Sequence, residues 1–346
     1  MSTIHPTQAP AGQLTYTNPV YDGPFADPFV FRVGSTYYAV GTGDDESDWS
    51  PAKLSTARER AHVIPILRSD DLVHWKYLGR ALIPHPDDCA GPFWAPEVAA
   101  ENGKYYLYYS VGLCGHEGHA IRVAVSDAPA GPYRDNHTTL IDRATTPFSI
   151  DAHPFRDADG QWYLFYAKDF LDTDNGNRAG TALVVDRLID MTRLAGEERV
   201  VMRARCNWQL YEANRTMYGQ IFDWHTLEGP FVLRRNNKYY CFYSGGCFQN
   251  ESYGVDYATA DHPLGPWDGQ GSESGPRVLK TLPGQVIGPG HCSIVTGPDN
   301  KTDYLVYHAW PPDMSARRMR IDPLVWTKDG PRCQGPTTPQ PTPTSR

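Results

Sequence analysis

The chain has 346 residues and a formal net charge of −8 at pH 7, with 32 Lys and Arg against 40 Asp and Glu. This charge disfavours a nucleic-acid partner, because binding to phosphates requires clustered basic residues. A membrane partner is also disfavoured, since no run of the sequence approaches the roughly 18 apolar residues of a membrane-spanning helix. The 21% charged and 40% hydrophobic residues are typical of a globular protein with one large core or two modest ones.

Aromatic residues are abundant, with 21 Tyr and 9 Trp. Most of them should occupy half-buried strands, where aromatic side chains are favoured. Aromatic rings also stack on sugar rings. The composition, together with the mild negative charge, is therefore compatible with a neutral carbohydrate ligand.

The N-terminal residues and the cysteines bear on the cellular compartment. The first residues, MSTIHPTQAPAGQLTYTNPV, lack the basic start and apolar stretch of a signal peptide, which favours a cytoplasmic protein. A secreted protein whose signal peptide had been removed would have the same sequence. Seven cysteines are an odd number, so at least one cannot pair within the chain. Cys89 and Cys114 flank one predicted hairpin and are the candidates for a disulfide in an oxidising compartment.

One phrase recurs five times along the chain: a short hydrophobic strand, a turn rich in Gly, Asp or Asn, and a Tyr-rich strand. The copies are DPFVFRVGSTYYAVGT from Asp27, PEVAAENGKYYLYYS from Pro96, DAHPFRDADGQWYLFY from Asp151, EGPFVLRRNNKYYCFYS from Glu228 and GHCSIVTGPDNKTDYLVYHAW from Gly290. The turn residues tolerate the positive φ of tight hairpins. The sequence therefore predicts five β-hairpins.

A second phrase follows four of the copies. It reads ILRSDDLVHW from Ile66, RVAVSDAPAGPY from Arg122, TALVVDRLIDMTRL from Thr181 and VDYATADHPLGPW from Val255. Two hairpins per unit make a four-stranded antiparallel sheet, and repeated small sheets are typical of a β-propeller. We predict an all-β fold, a five-bladed β-propeller with four-stranded antiparallel blades, over residues 18–336. Residues 1–17 are predicted to be an N-terminal extension and residues 337–346 a Pro- and Thr-rich tail.

A titratable residue stands at or near the head of each copy of the first phrase. These residues are Asp27, Glu97, Asp151, Glu228 and His291. In a propeller the first strand of each blade lines the central channel, so the five side chains are predicted to converge. Carboxylates gathered in a cleft perturb each other's pKa values, and one is raised. Glycoside hydrolysis uses two carboxyl groups with different pKa values. The protonated one donates its proton to the leaving oxygen, and the ionised one activates a water molecule or attacks the sugar.

Each acid has a simpler interpretation when it is considered alone. Asp27 precedes a proline and could start a turn, Glu228 precedes a Gly-Pro pair, and Asp151 could cap a hairpin. Glu97 could be an ordinary strand residue. Their shared place in the repeat favours a functional interpretation, because unrelated turn acids would not fall in register.

Six phrases together resemble glycoside hydrolase family 43. They are ADPFV at 26–30, FWAPEV at 93–98, SIDAHPFRDADGQWYLFY at 149–166, EGPFVLRRNNKYYCFYS at 228–244, GPGHCSIV at 288–295 and RRMRIDPLVW at 317–326. The resemblance extends over residues 18–336 and is specific, because the motifs occur in the family's order. It implies a five-bladed propeller that hydrolyses arabinan, arabinoxylan or xylan side chains with inversion.

The resemblance also implies a catalytic role for three carboxylates. Asp27 matches the general base that activates a water molecule, and Glu228 matches the general acid that protonates the leaving oxygen. Asp151 matches the third carboxylate, which raises the pKa of the acid and orients it. Glu97 has no firm catalytic counterpart in the family.

Other residues match sugar-binding and ion-binding positions of the family. Trp94 resembles an aromatic wall, and Arg318 resembles an arginine that reaches sugar hydroxyls, although Arg317 and Arg320 are close rivals. His153 departs from the family's usual Ile-Asp-Pro-Ser phrase; it could contact the sugar or point into the blade. His291 resembles a channel histidine that often lies beside a water-coordinated calcium ion, which the chemistry itself does not require.

We therefore expect an inverting glycoside hydrolase that acts on arabinose- or xylose-containing plant polysaccharides, with an exo-acting α-L-arabinofuranosidase favoured. An endo-1,5-α-L-arabinanase, a β-xylosidase and a galactosidase-type activity stay open, because loops at 44–57 and 169–178 decide between a pocket and a groove. The alternative from another class is a non-catalytic carbohydrate-binding propeller. A lectin would repeat similar ligand-binding residues between blades, whereas here the channel residues differ.

Overall fold

The structure is a computed structural model of the chain and describes residues 14–42, 63–85, 92–112, 118–142, 144–269 and 271–337. These residues form an all-β protein, as predicted, with short 3-10 turns at Asp174–Gly176 and Asn207–Gln209. Within the described ranges, no helix is long and apolar enough to span a membrane. The candidate disulfide pair, Cys89 and Cys114, and the loop at 44–57 lie outside the described residues. Five other cysteines are free: Cys206, Cys241, Cys247, Cys292 and Cys333.

The strands belong to three sheets. The first sheet has eight strands: β1 (Ala26–Val33), β2 (Thr36–Thr42), β3 (Val63–Ser69), β4 (Lys76–Ile83), β5 (Phe93–Glu101), β6 (Lys104–Gly112), β7 (His119–Ser126) and β8 (Tyr133–Thr139). The second has ten: β9 (Ser149–Arg156), β10 (Trp162–Phe170), β11 (Gly180–Asp190), β12 (Arg193–Leu194), β13 (Arg199–Met202), β14 (Leu210–Met217), β15 (Gln220–Arg235), β16 (Lys238–Gly245), β17 (Gly254–Ala260) and β18 (Trp267–Asp268). The third has four: β19 (Ile287–Thr296), β20 (Asp303–Trp310), β21 (Arg318–Thr327) and β22 (Gly330–Cys333).

The five copies of the first phrase are five antiparallel hairpins. They are β1–β2, β5–β6, β9–β10, β15–β16 and β19–β20. We call β1, β5, β9, β15 and β19 the inner strands. They contact one another in this cyclic order, and β19 returns to β1. The first residues of all five inner strands therefore lie at one end of a closed ring.

The hydrophobic core is divided into five clusters, each between neighbouring units of the ring. In the cluster that closes the ring, Tyr37 and Leu67 from the first hairpins pack with Val306 and Ile321 from the last sheet. Each fully buried aliphatic side chain contributes roughly 1.5–3 kcal/mol. A small sheet cannot bury both of its faces alone, so the units are stable only as neighbours.

Each inner strand is interrupted by a β-bulge near its first residues, where the pairing with its partner shifts. The residue at the bulge has a positive φ of 43–60° in all five strands. These bulge residues are Asp27, Ala95, Asp151, Gly229 and His291. Four of them are not glycine, and a side chain in the left-handed region costs on the order of 1–3 kcal/mol. The surrounding ring must hold this geometry in place.

Hydrogen bonds between consecutive hairpins hold four of the bulges. In each case the N–H of the bulge residue donates to a side chain on the second strand of the preceding hairpin. The bonds are Ala95 to Thr42 Oγ1 (2.8 Å), Asp151 to Ser110 Oγ (3.0 Å), His291 to Ser244 Oγ (2.7 Å) and Asp27 to His308 Nδ1 (3.0 Å). The last of these bonds joins the first and last hairpins and closes the ring.

Candidate active site

The structure brings the head residues to the same end of the ring, but not all at equivalent positions. Asp27, Asp151 and His291 are bulge residues. Glu228 lies one residue before its bulge, and Glu97 lies two residues after its own. The expectation that all five fall in register is therefore corrected. Glu97 belongs to the next layer down the ring, because a bulge shifts the side chains that follow it.

Asp27 is surrounded by hydrogen-bond donors and positive charge. The Thr42 hydroxyl donates to Asp27 Oδ2 at 2.6 Å, and Arg317 Nη1 lies 3.3 Å from Oδ1. His291 Nδ1 lies 3.4 Å from the same oxygen. Burial alone would raise the pKa of Asp27, but the charge of Arg317 holds the pKa well below its usual range. Asp27 is therefore ionised at neutral pH.

Asp151 and Glu228 have the opposite electrostatic character. The N–H of Gly229 donates to Asp151 Oδ2 at 2.9 Å, which ties Asp151 to the residue that follows Glu228. Burial and the nearby charge of Glu228 raise the pKa of Asp151 well above its usual range. Burial also raises the pKa of Glu228 to about 7, against an opposing hydrogen bond from Tyr253. The pair therefore retains a proton at neutral pH, beside an ionised Asp27.

At four bulges the N–H donates to a side chain on the second strand of the preceding hairpin, whereas at Gly229 it donates to Asp151. The equivalent position on β10 is Ala167, which pairs with Ile150 just before the bulge. The side chain of alanine has no hydrogen-bond acceptor. The N–H of Gly229 therefore donates to the carboxylate of Asp151 instead. At this one junction the ring of hydrogen bonds includes an active-site carboxylate.

Glu97 and His153 form a buried hydrogen-bonded pair in the layer below. His153 Nδ1 lies 2.6 Å from Glu97 Oε2, and the N–H of Val232 donates to His153 Nε2 at 2.9 Å. Both ring nitrogens are thus occupied, and the ring packs 4.6 Å from that of Phe231. This placement corrects the expectation that His153 contacts substrate. Of the two alternatives left by the sequence, His153 points into the fold.

The two arginines of the RRMR phrase have different surroundings. Arg317 lies beside Asp27, with its guanidinium 4.8 Å from the ring of Phe248. Arg318 instead donates through Nε to the Asp22 carbonyl at 2.9 Å, away from the carboxylates. Arg317, which the sequence had marked as a rival of Arg318, is therefore the arginine that lies beside the carboxylates.

Trp94 lies at the carboxylate end of the ring and is partly exposed. It immediately precedes the bulge residue Ala95, the position that Glu228 holds in its own strand. The ring of His119 covers Trp94 at a centroid distance of 3.9 Å and an interplanar angle of 20°. This stack fixes the orientation of the indole.

His291 does not have the surroundings of a directly coordinated metal ion. No group of three or more His, Cys, Asp or Glu suited to a metal occurs among the described residues. Asp27 Oδ1 faces Arg317, and Asp151 Oδ2 accepts the N–H of Gly229, so the nearest carboxylates are engaged. Burial lowers the pKa of His291, which favours the neutral imidazole.

Three residues of the site were not singled out by the sequence. Thr42 and His308 hold Asp27 from the second strands of hairpins, and Tyr253 holds Glu228 from the turn before β17. Thr42 and His308 do stand at the ends of the Tyr-rich strands, so their place in the repeat was a usable signal. Tyr253 lies outside both repeated phrases and had no such signal.

A large cavity also opens at the opposite end of the inner strands. Its volume is about 1110 Å³, and it is lined by the strand ends and turns around Arg156, Arg235 and Trp326. The charged side chains there are paired loosely, as in Arg234 with Asp157 at 3.9 Å and Arg235 with Asp303 at 4.0 Å. These pairs resemble a solvated surface, unlike the buried carboxylates at the other end.

Comparisons with known proteins identify the family of this chain. The family model of glycosyl hydrolases family 43 matches residues 16–331. A β-D-galactofuranosidase of Aspergillus niger is 30% identical over 321 residues, which cover 88% of this chain and 79% of that protein. An extracellular exo-α-(1→5)-L-arabinofuranosidase of Streptomyces avermitilis is 26% identical over 345 residues, which cover 94% of this chain and 64% of that protein.

A solved structure shares the fold. The crystal structure of a thermostable family-43 glycoside hydrolase aligns with a TM-score of 0.77 at 30% sequence identity. The alignment covers 96% of this chain and 100% of that one. The similarity therefore includes every sheet described above.

Proposed function

This chain belongs to glycosyl hydrolases family 43, and from that membership we propose that it is an inverting, exo-acting α-L-arabinofuranosidase. The observation that carries the chemistry is the division of ionisation among three buried carboxyls. Asp27 is held ionised by Arg317, whereas Asp151 and Glu228 have raised pKa values. An acid and a base in one site, both in their working forms at neutral pH, are what hydrolysis of a glycosidic bond requires.

We propose further that the fold is a five-bladed β-propeller. The closed ring of five inner strands and the five core clusters between units support this interpretation. Strands β4 and β8 of adjacent units are joined in parallel at their edges, as are β11 and β15. Those edge contacts merge neighbouring blades into the larger sheets without changing the order of strands inside each blade.

In the proposed mechanism Asp27 removes a proton from a water molecule as that water attacks the anomeric carbon. Glu228 donates its proton to the glycosidic oxygen while the bond from that oxygen to the anomeric carbon breaks. The products are a sugar with inverted configuration and a leaving group with a free hydroxyl. Asp27 is then protonated and Glu228 ionised, and exchange of one proton with solvent restores both groups. Burial keeps the pKa of Glu228 high, and the charge of Asp27 adds to this effect. Asp151 orients the segment that carries Glu228 by accepting the N–H of Gly229.

The sugar is inferred from the relatives. Two of them are named for furanosides, the α-L-arabinofuranosidase and the β-D-galactofuranosidase. α-L-Arabinofuranose and β-D-galactofuranose have the same ring configuration and differ only in the length of the exocyclic chain. β-D-Galactofuranosidase activity is therefore the second candidate. An endo-1,5-α-L-arabinanase and a β-xylosidase stay as alternatives, and the extracellular relative favours a secreted protein over the cytoplasmic one expected from the sequence.

The first experiment measures hydrolysis of 4-nitrophenyl α-L-arabinofuranoside, β-D-galactofuranoside and β-D-xylopyranoside, and of linear arabinan. We expect the arabinofuranoside to be cleaved fastest and arabinan to release arabinose as its first product. In ¹H NMR the β anomer should appear before mutarotation. Oligosaccharides as first products would indicate an endo enzyme, and a first-formed α anomer would contradict inversion.

The matched variants are Asp27→Asn and Glu228→Gln, with Asp190→Asn as a surface carboxylate control. Asp27→Asn should lose about 10²–10⁴-fold in kcat on every substrate. Glu228→Gln should lose much less on 4-nitrophenyl glycosides than on arabinan, because 4-nitrophenolate leaves without protonation. If no glycoside is hydrolysed by the parent protein, the non-catalytic carbohydrate-binding propeller becomes the better interpretation.

A calcium ion in the central channel also stays a proposal. The engaged carboxylates around His291 leave few protein ligands, so such an ion would be held mainly through water molecules. No step of the proposed mechanism uses it.

A further inference from the structure

Tyr253 lies in the turn that precedes β17 and is 1% exposed. Its O–H donates to Glu228 Oε1 at 2.5 Å. The carboxyl group of the proposed general acid, Glu228, therefore accepts a hydrogen bond from Tyr253. The resemblance to the family did not assign the residue a role.

The fold reserves the space that Tyr253 occupies. A Cβ added to Gly290 would lie 2.2 Å from Tyr253 Cε1, so only glycine at 290 admits the ring. The ring is also nearly parallel to that of His308, with a centroid distance of 6.0 Å and an interplanar angle of 9°. His308 in turn accepts the N–H of Asp27. The phenol is therefore fixed between the acid and base sides of the site.

A neutral phenol next to a carboxyl group acts differently on its two protonation states. The O–H bonds more strongly to an ionised carboxylate than to a carboxylic acid, because the carboxylate oxygen is the better acceptor. The bond therefore strengthens as the proton leaves Glu228, which stabilises the transition state more than the ground state. It also occupies Oε1 and leaves Oε2 to carry the proton.

We propose that Tyr253 is a positioning residue for Glu228: its O–H fixes Oε1, directs the proton of Oε2 to the leaving oxygen, and makes Glu228 a stronger acid. The inference rests on the proposed function, since Glu228 must be the general acid. Burial raises the pKa of Tyr253 well above its ordinary value, so the phenol keeps its proton through the working pH range.

The test replaces Tyr253 by Phe, which retains the ring and removes only the donor. We expect the alkaline limb of kcat/KM to move upward by about one pH unit, because loss of a hydrogen bond to the ionised form raises the pKa of Glu228. The kcat should fall about tenfold on arabinobiose and much less on 4-nitrophenyl α-L-arabinofuranoside, whose leaving group does not need protonation.

The control is Tyr307→Phe, another buried tyrosine that donates to a carboxylate, Asp322, at 2.6 Å in the last sheet. It should lower the melting temperature and leave the pH profile unchanged. An unmoved alkaline limb in Tyr253→Phe, or equal losses on both substrates, would overturn the proposal. Should Tyr253→Phe not fold, 3-fluorotyrosine at residue 253 supplies a stronger donor of nearly the same shape, and the limb should then move downward.

A direct titration separates this inference from the proposed function. In protein with ¹³C-labelled Glu side chains, the Glu228 signal is identified by its absence in Glu228→Gln. Its apparent pKa should be higher in Tyr253→Phe than in the parent protein. This readout needs no turnover, so it decides the role of Tyr253 even if no glycoside tested is a substrate. Identical titrations would reject it.

Discussion

Arg317 and Arg318 are adjacent in the sequence, yet only Arg317 acts on the active site. Arg317 immediately precedes β21 and Arg318 is its first residue, and their side chains diverge: one meets Asp27 and the next meets the carbonyl of Asp22. The charge of Arg317 opposes the effect of burial on Asp27. Without it, less would oppose the effect of burial, and the pKa of the proposed base would rise.

We therefore expect Arg317→Gln to move the acidic limb of kcat/KM to higher pH. Asp27 must be ionised to act as a base, so a higher pKa extends the loss of activity from acidic pH towards neutral pH. The loss of kcat/KM at neutral pH should be about tenfold or more. Arg317→Lys keeps the charge and should restore part of the profile. Arg318→Gln is the matched control and should leave the limb in place; a shift there would show that the wrong arginine was chosen.

The bulge at the head of each inner strand is the element that creates the site. It turns the backbone into the left-handed region and aims the bulge residue towards the end of the ring. In three strands that residue is Asp27, Asp151 or His291. At Gly229 the same geometry brings the N–H onto Asp151 and places the α-carbon close to the ring of His291.

Two glycine variants separate the conformational cost of a side chain from its effect on the site. Gly34 and Gly229 have φ of 63° and 57°, so Ala at either should cost about 1 kcal/mol in the free energy of unfolding. A Cβ at Gly34 meets nothing within 4 Å, whereas one at Gly229 lies 3.1 Å from the His291 ring. We expect similar losses of stability but a fall in kcat of tenfold or more only for Gly229→Ala. Equal kinetics in both variants would contradict this role of the bulge.

At the scale of the whole molecule, the first and last described segments of the chain meet beside the last sheet. Asn18 Nδ2 donates to the Ile321 carbonyl at 2.8 Å, and the N–H of Ile321 donates to Asn18 Oδ1 at 3.0 Å. Thr337, near the other end of the chain, donates to Asp322 Oδ1 at 2.7 Å. These bonds hold residues 14–25 against the last sheet and support the closure between β1 and β19.

Asn18→Ala should therefore reduce stability without changing the chemistry. It leaves the backbone groups of Ile321 unpaired in a buried place, which costs about 2 kcal/mol. We expect thermal unfolding to show a melting temperature lowered by several degrees, with kcat and KM for the parent substrate unchanged. Asn177→Ala, which removes a peripheral hydrogen bond to Asp172, is the control and should melt close to the parent. A kinetic defect in Asn18→Ala would mean that closure also shapes the site.

Much of the fold was predictable because hairpins leave local signals. Turn residues and alternating Tyr-rich strands predicted all five hairpins, and the repeat located Asp27, Asp151 and Glu228 at the end where the structure places them. The position of each side chain within that end was less predictable. A bulge of one residue moves Glu97 into the layer below, where it pairs with His153, and no local pattern announces such a shift.

By itself the sequence determined the all-β class, the five hairpins and the carboxylates available for chemistry, since strand, turn and acid each have a local signature. Only the tertiary structure decided which of those carboxylates is ionised, which arginine lies beside Asp27, and which phenol bonds to Glu228. The physical reason is that ionisation depends on burial and on charges a few ångströms away. Closure of the ring supplies both by bringing together residues that are far apart in the chain.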